Sequence, residues 1–193
     1  MRNSSALATA AGCALMLLAA TARCQPQTYV FEPEHSFVHF EVLHFGTSTS
    51  RGRFGPVQGS VSIDRSAGTG ELGVQIETAR VSTGVPVFDA RLRQADMLAS
   101  AEHPLAYFVA RQFVFEAGQP SLVRGEFTLR GISQPLALRA LRFACRVEAG
   151  SGHELCGADF EAVLSRSAFG IDFGQPFVAD RVRLVVQVLA RRR

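Results

Sequence analysis

Residues 123–129 read Val123-Arg124-Gly125-Glu126-Phe127-Thr128-Leu129. Apolar or small residues at 123, 125, 127 and 129 alternate with polar ones at 124, 126 and 128. A period of two sends successive side chains to opposite faces of a strand, so this segment is predicted to have one dry face and one wet face. The pattern recurs on both sides. Val57, Gly59, Val61 and Ile63 alternate with polar neighbours, as do Leu72, Val74 and Ile76, and Phe160, Ala162 and Leu164. Clusters of Gly, Ser, Asp and Pro at 64–70, 118–121, 131–135 and 150–152 separate the runs. Closely spaced strands joined by tight turns predict an all-β antiparallel meander, as a sandwich or a barrel.

Residues 87–100 (VFDARLRQADMLAS) break the period. Phe88, Leu92, Ala95 and Ala99 share a helical stripe, and Asp89 stands four residues before Arg93. One or two short helical segments covering an end of the sheet are expected, stopped by Pro104.

The 193 residues are 47% hydrophobic and 19% charged, with 15 Phe, 2 Tyr and no Trp. Such a composition excludes disorder, collagen and coiled coil, and the length suits one domain. All 20 basic residues are Arg, against 17 acids, and the one basic run is Arg191 to Arg193. No nucleic-acid groove is expected from so balanced a chain.

The N-terminus reads as an address. Arg2 precedes a 15-residue apolar run at 6–20, then Ala20-Thr21-Ala22 forms a cleavage site. The run is shorter than the roughly 20 residues a membrane span needs. Arg23 before Cys24 argues against a lipid anchor. Residues 1–22 are therefore expected to be a secretory signal and 23–193 a single domain, periplasmic or secreted. Export allows disulfides. Cys145 and Cys156 flank the turn-like 148–153, and a cross-strand disulfide is favoured there over free thiols or a redox pair. Cys24 is the odd cysteine, free or bonded between molecules, unless cleavage removes it.

Chemical motifs are sparse. His35, His39 and His44 fall within ten residues. On one strand, however, His44 joins the apolar face of Val38, Phe40 and Val42, while His39 and Glu41 take the other, so no metal site is expected. No G-x-S-x-G elbow, cysteine–histidine partnership, P-loop or dinucleotide fingerprint is present, and neither catalysis nor a cofactor is expected.

A series of short motifs nevertheless resembles the YceI-like family, exported lipid-binding proteins also described as polyisoprenoid-binding. Along the chain these are Glu34-His35-Ser36, the strand ending at His44, the Gly52-Arg53-Phe54 turn, Thr83-Gly84, and Asp89-Ala90-Arg91-Leu92-Arg93. Then come Pro104 to Phe108, the hairpin from Gly125 to Gly131, Arg166-Ser167-Ala168-Phe169-Gly170-Ile171, and Asp180-Arg181-Val182. The match runs from about Tyr29 to Ala190. Glu32, Met97 and His103 depart from the family's pattern. The resemblance implies a lipocalin-like antiparallel barrel holding an amphiphile with a long alkyl or isoprenoid tail, without cofactor chemistry.

A closed barrel of about eight strands has an interior that is either filled or left as a cavity. The expected lining is Val38, Phe40, Val42, Val61, Ile63, Val74, Ile76, Phe108, Phe113, Phe127, Leu129, Phe160, Leu164, Phe169 and Val186; the same residues could instead pack a solid core. At the mouth, His44, Arg91, Arg93 or Arg166 is expected to meet an anionic or quinone head group, unless Arg166 pairs with Asp89. The expected function is that of an exported lipid carrier or sequestering protein. The alternatives are a small-molecule enzyme using the same cavity, or an interaction module accessory to a membrane electron-transfer protein. The oligomeric state, a homodimer included, is left open by the sequence.

Overall fold

The structure, a computed structural model, describes residues 26–193. The expected signal segment and Cys24 lie outside the described residues. The strands are β1 (Gln27–Phe31), β2 (Phe37–His44), β3 (Ser48–Phe54), β4 (Gln58–Asp64), β5 (Thr69–Glu77), β6 (Leu105–Glu116), β7 (Gln119–Leu129), β8 (Ile132–Val147), β9 (Glu154–Ser165) and β10 (Val178–Arg192). One helix, α1 (Pro86–Leu92), lies between β5 and β6.

Every pairing between strands is antiparallel, in the order β1-β4-β5-β6-β7-β8-β9-β10. β10 returns to β1, with Tyr29 opposite Arg192 and Phe31 opposite Ala190, so eight strands close into a barrel. The first two staves are broken. β1 and β2 follow one another along the same edge of β10, interrupted by a turn at Pro33–His35. β4 pairs with β1 and β3 pairs with β2, so the second stave breaks between Phe54 and Gln58. Gly52 and Phe54, read from sequence as a turn, lie inside β3. Gly52 is needed because the Phe40 ring lies where a β-carbon would stand. The β7–β8 hairpin turns on Arg130 and Gly131, whose φ values of 54° and 72° are both left-handed.

The expected helix over 87–100 is shorter in the structure. It runs from Pro86 to Leu92 and continues as turns, because Ala99 takes φ 48° and the chain doubles back with Leu98 N–H donating to Leu92 O. Asp89 does not pair with Arg93. It accepts from the Thr83 N–H (2.6 Å) and hydroxyl (2.7 Å), while Arg93 donates to the carbonyls of Ala79 and Val81. These bonds fasten α1 and the turns after it over one end of the barrel.

Cys145 and Cys156 stand opposite each other on β8 and β9 and are disulfide-bonded. Closing a loop of sequence separation 11 contributes roughly 2–3 kcal/mol by constraining the unfolded chain. The apolar faces meet in one core cluster that includes Tyr29, Val57, Val123, Phe127 and Phe169. No helix among the described residues is long and apolar enough to cross a membrane.

Candidate ligand cavity

The barrel is hollow at one end. A cavity of about 510 Å³ is walled by β2, β3, β5 to β10, α1 and the turns that flank it. Its wall is predominantly hydrocarbon, because the inward positions of alternating strands carry Val, Leu, Ile and Phe. Phe88, Arg51 and Phe173 belong to the wall and are exposed to solvent, so the mouth lies between the β2–β3 hairpin, α1 and the segment leading into β10.

Of the residues expected to line it, Val38, Phe40, Val42, His44, Val74, Ile76, Arg91, Phe108, Phe127, Leu129, Leu164 and Arg166 border the cavity, as does Val186. The others do not. Phe169 stands behind the wall, edge-on to Phe127 at 5.6 Å between ring centroids, and so fixes the Phe127 ring rather than meeting the cavity itself. Val61 and Ile63 lie on β4 where it pairs with β1, opposite Tyr29 and Gln27. Val61, Phe113 and Phe160 pack against the core cluster without bordering the cavity, together with Leu72 and Val188. The barrel is therefore solid toward the β1 end and open toward α1.

Sequence reasoning missed part of the wall. Leu136 and Leu138 on β8 and Ala106 on β6 keep the two-residue period and were readable as inward. Val81, Leu98 and Ile171 sit in turns without a period, and nothing in their spacing marks them.

The cationic groups of the wall are already engaged. Arg166 is 6% exposed and donates to four carbonyls, those of Ala179, Ile171, Phe173 and Val178, at 2.8–2.9 Å. Burial lowers its pKa, a pull opposed by Asp180 and Asp172. It forms no ion pair with Asp89, whose carboxylate is pulled below its ordinary value by the Thr83 bonds. Arg91 makes a bidentate pair with Asp96, both contacts at 2.6 Å, and its guanidinium lies 4.1 Å from the centroid of the Phe173 ring. The hydroxyl of Thr78 donates to His103 O. Unlike these, His44 and Ser50 reach the mouth with no side-chain hydrogen bond among the described residues. Among the described residues, Cys145, Glu154 and Cys156 are the one convergence of metal-ligand types, and both sulfurs are bound in the disulfide.

A closed eight-stranded antiparallel barrel with an apolar, one-ended cavity defines a small-ligand-binding class of protein. Within that class the chain belongs to the YceI-like domain family, whose model matches residues 29–190. It is 28% identical over 158 residues to a UPF0312 protein of Pseudomonas aeruginosa (strain LESB58) and to Protein YceI of Escherichia coli O157:H7, covering 81% of this chain and 82% of each relative. Its fold is similar to that of Burkholderia cenocepacia BcnA, with a TM-score of 0.68 at 18% identity, covering 82% of this chain and 98% of that one. It is also similar to a polyisoprenoid binding domain from Saccharophagus degradans, with a TM-score of 0.61 at 16% identity, covering 86% and 98%.

Proposed function

We propose that this protein is an exported, non-catalytic carrier that shelters the tail of one long-chain amphiphile in the barrel. The observation that carries this reading is the hydrocarbon-walled cavity of about 510 Å³. At the roughly 30 Å³ that a water-sized group occupies in a liquid, it has room for about 17 methylene-sized groups. Each buried methylene contributes about 0.8 kcal/mol, so a tail of this size supports micromolar or tighter binding after the costs of association. The similar Saccharophagus degradans domain is a polyisoprenoid binding domain, which supports an isoprenoid or similar tail here.

Tail-first entry leaves the head group at the mouth. Arg91 and Arg166 are committed to Asp96 and to backbone carbonyls, so the head group suited to this mouth is neutral, a quinone or an alcohol beside His44 and Ser50. The disulfide suits the oxidising compartment to which the N-terminal segment would direct the chain. The test is to purify the protein, extract it with organic solvent and analyse the extract by mass spectrometry. A stoichiometric long-chain neutral amphiphile is expected. An extract free of long-chain species, together with failure of the purified protein to take up a long-chain isoprenoid alcohol added from ethanol, would overturn the reading.

A further inference from the structure

Among the described residues four phenylalanines are exposed: Phe45 (59%), Phe88 (59%), Phe173 (55%) and Phe177 (60%). The remaining phenylalanines are buried or partly buried, so exposed phenylalanine rings are confined to one end of the barrel. They come from three separate parts of the chain: the β2–β3 turn, α1 and the segment before β10. Phe45 stacks on Phe177 at 5.4 Å between centroids, and its N–H donates to Phe177 O. Phe173 lies under the Arg91 guanidinium, while Val85 and Val87 add exposed apolar surface before and within α1. The cavity mouth opens inside this rim, since Phe88 and Phe173 are part of the cavity wall.

Exposed apolar side chains gathered around one opening in this way mark an interaction surface. Phe45 supplies a second, independent sign, because it is a bulky residue held at φ 52°, a left-handed conformation in which Gly or Asn would be less strained. The turn thus keeps a ring that is disfavoured both by its backbone and by its exposure to water. Of the charges around the rim, Arg91 is paired with Asp96 and Arg51 with Glu41, while the Asp89 carboxylate, held in its ionised form by the Thr83 bonds, is offset by the nearby charge of Arg93. The patch therefore presents hydrocarbon without a strong field of either sign.

We propose that this phenylalanine rim seats on the surface of a lipid bilayer, with the cavity mouth facing the acyl layer. The choice of a bilayer as occupant rests on the lipid-carrier reading: a hydrocarbon ligand can then pass between membrane and cavity without crossing water. The rim's form supports the same occupant. Rings projecting from three segments around an opening suit insertion into a deformable medium, whereas a protein partner needs a closely complementary surface. Local charge neutrality makes the contact hydrophobic, so it requires no anionic lipid.

The test is cosedimentation of the full protein with sucrose-loaded phosphatidylcholine vesicles, beside the variant Phe45→Asn/Val87→Ser/Phe177→Ser, whose altered residues do not border the cavity. The wild-type protein is expected to pellet with the vesicles equally at about 0.1 M and about 1 M salt. The variant is expected to partition roughly a hundredfold more weakly, from the loss of three inserted apolar side chains. Absence of vesicle-dependent pelleting, or a variant that pellets as well as the wild type, would overturn the proposal. So would a wild-type dimer in light scattering that the variant dissociates and that shows no affinity for vesicles, which would assign the rim to a second copy. Uptake of an isoprenoid alcohol added from ethanol, without vesicles, separates this proposal from the carrier reading. Uptake without pelleting overturns docking alone, and pelleting without uptake overturns the carrier alone.

Discussion

Arg166 is a charged residue used as a backbone fastener. Its guanidinium carries donors in a fixed planar fork, and four of them end on the carbonyls of Ile171, Phe173, Val178 and Ala179. These carbonyls belong to the segment that supplies Phe173 and Phe177 to the rim and leads into β10. Asp180 completes the clasp by accepting from the Ser167 N–H at 2.9 Å and from the Gln175 side chain at 3.1 Å. Replacing Arg166 by Ala would leave these partly or fully buried acceptors without their donor, at a cost of about 3 kcal/mol or more. For a domain of this size that lowers the melting temperature by roughly 6–12 °C, measurable by circular dichroism. Arg166→Lys is expected to recover less than half of the loss, because an ammonium cannot span the fork. A head-group role predicts the opposite result, a stable protein with altered ligand preference.

At the scale of the elements, β2 and β3 are the exposed part of the design, since β3 pairs with β2 and makes no ladder with β5. An outer row of alternating charge holds them to the barrel. Arg139 on β8 meets Glu161 on β9, Glu161 meets Arg183 on β10, Arg183 meets Glu41 on β2, and Glu41 meets Arg51 on β3. The Arg51 and Arg183 bonds hold the Glu41 carboxylate below its ordinary pKa, and the Arg183 and Arg139 bonds do the same for Glu161. A carboxylate whose folded pKa is depressed adds stability that is present above its unfolded value and lost as pH falls through the folded one. The contribution of the row should therefore be intact at neutral pH and disappear with acidification below the ordinary value of 4.5. Thermal melts at decreasing pH are expected to show a smaller acid-induced drop in the double variant Glu41→Gln/Glu161→Gln than in the wild type. Equal acid sensitivity would mean that the row, exposed as it is, adds nothing measurable. The strands themselves were legible in the sequence because burial on one face imposes a two-residue period. The breaks between β1 and β2 and between β3 and β4 were not, because they follow from the way both strands share the edge of β10. The end of α1 was obscured for a similar reason. The 87–100 stripe is compatible with a longer helix, and the positive φ of Ala99 is invisible in an alanine.

At the scale of the whole molecule, the barrel divides into a solid half and a hollow half, and this division is the feature the sequence hid most completely. Inward residues of both halves obey the same alternation: Val61 and Phe160 are as apolar and as regular as Val74 and Phe127, yet only the latter two meet the cavity. The cross-section of the bore and the turns that cap it decide which inward side chains touch each other and which face space. Arg166 borders the cavity as expected from the sequence, but its hydrogen-bond partners are main-chain carbonyls, which carry no sequence signature. The division is testable on one strand. Val186 and Val188 are inward neighbours on β10 with similar half-burial, but Val186 borders the cavity while Val188 packs into the core without doing so. Enlarging Val188 to Phe forces a ring into packed space and is expected to destabilise the protein by about 1–3 kcal/mol. Enlarging Val186 to Phe places the ring in the cavity, so the melting temperature of the ligand-free protein should hold or rise, because the added ring gains contacts that the empty space denied to the wall. Ligand binding should respond in the opposite order. Val186→Phe shortens the space for the tail and should discriminate against the longest chains while retaining shorter ones, as read by displacement with alcohols of graded length. If the two substitutions destabilise equally and leave chain-length preference unchanged, Val186 does not face the space that holds the tail, and the division of the bore between Val186 and Val188 is overturned.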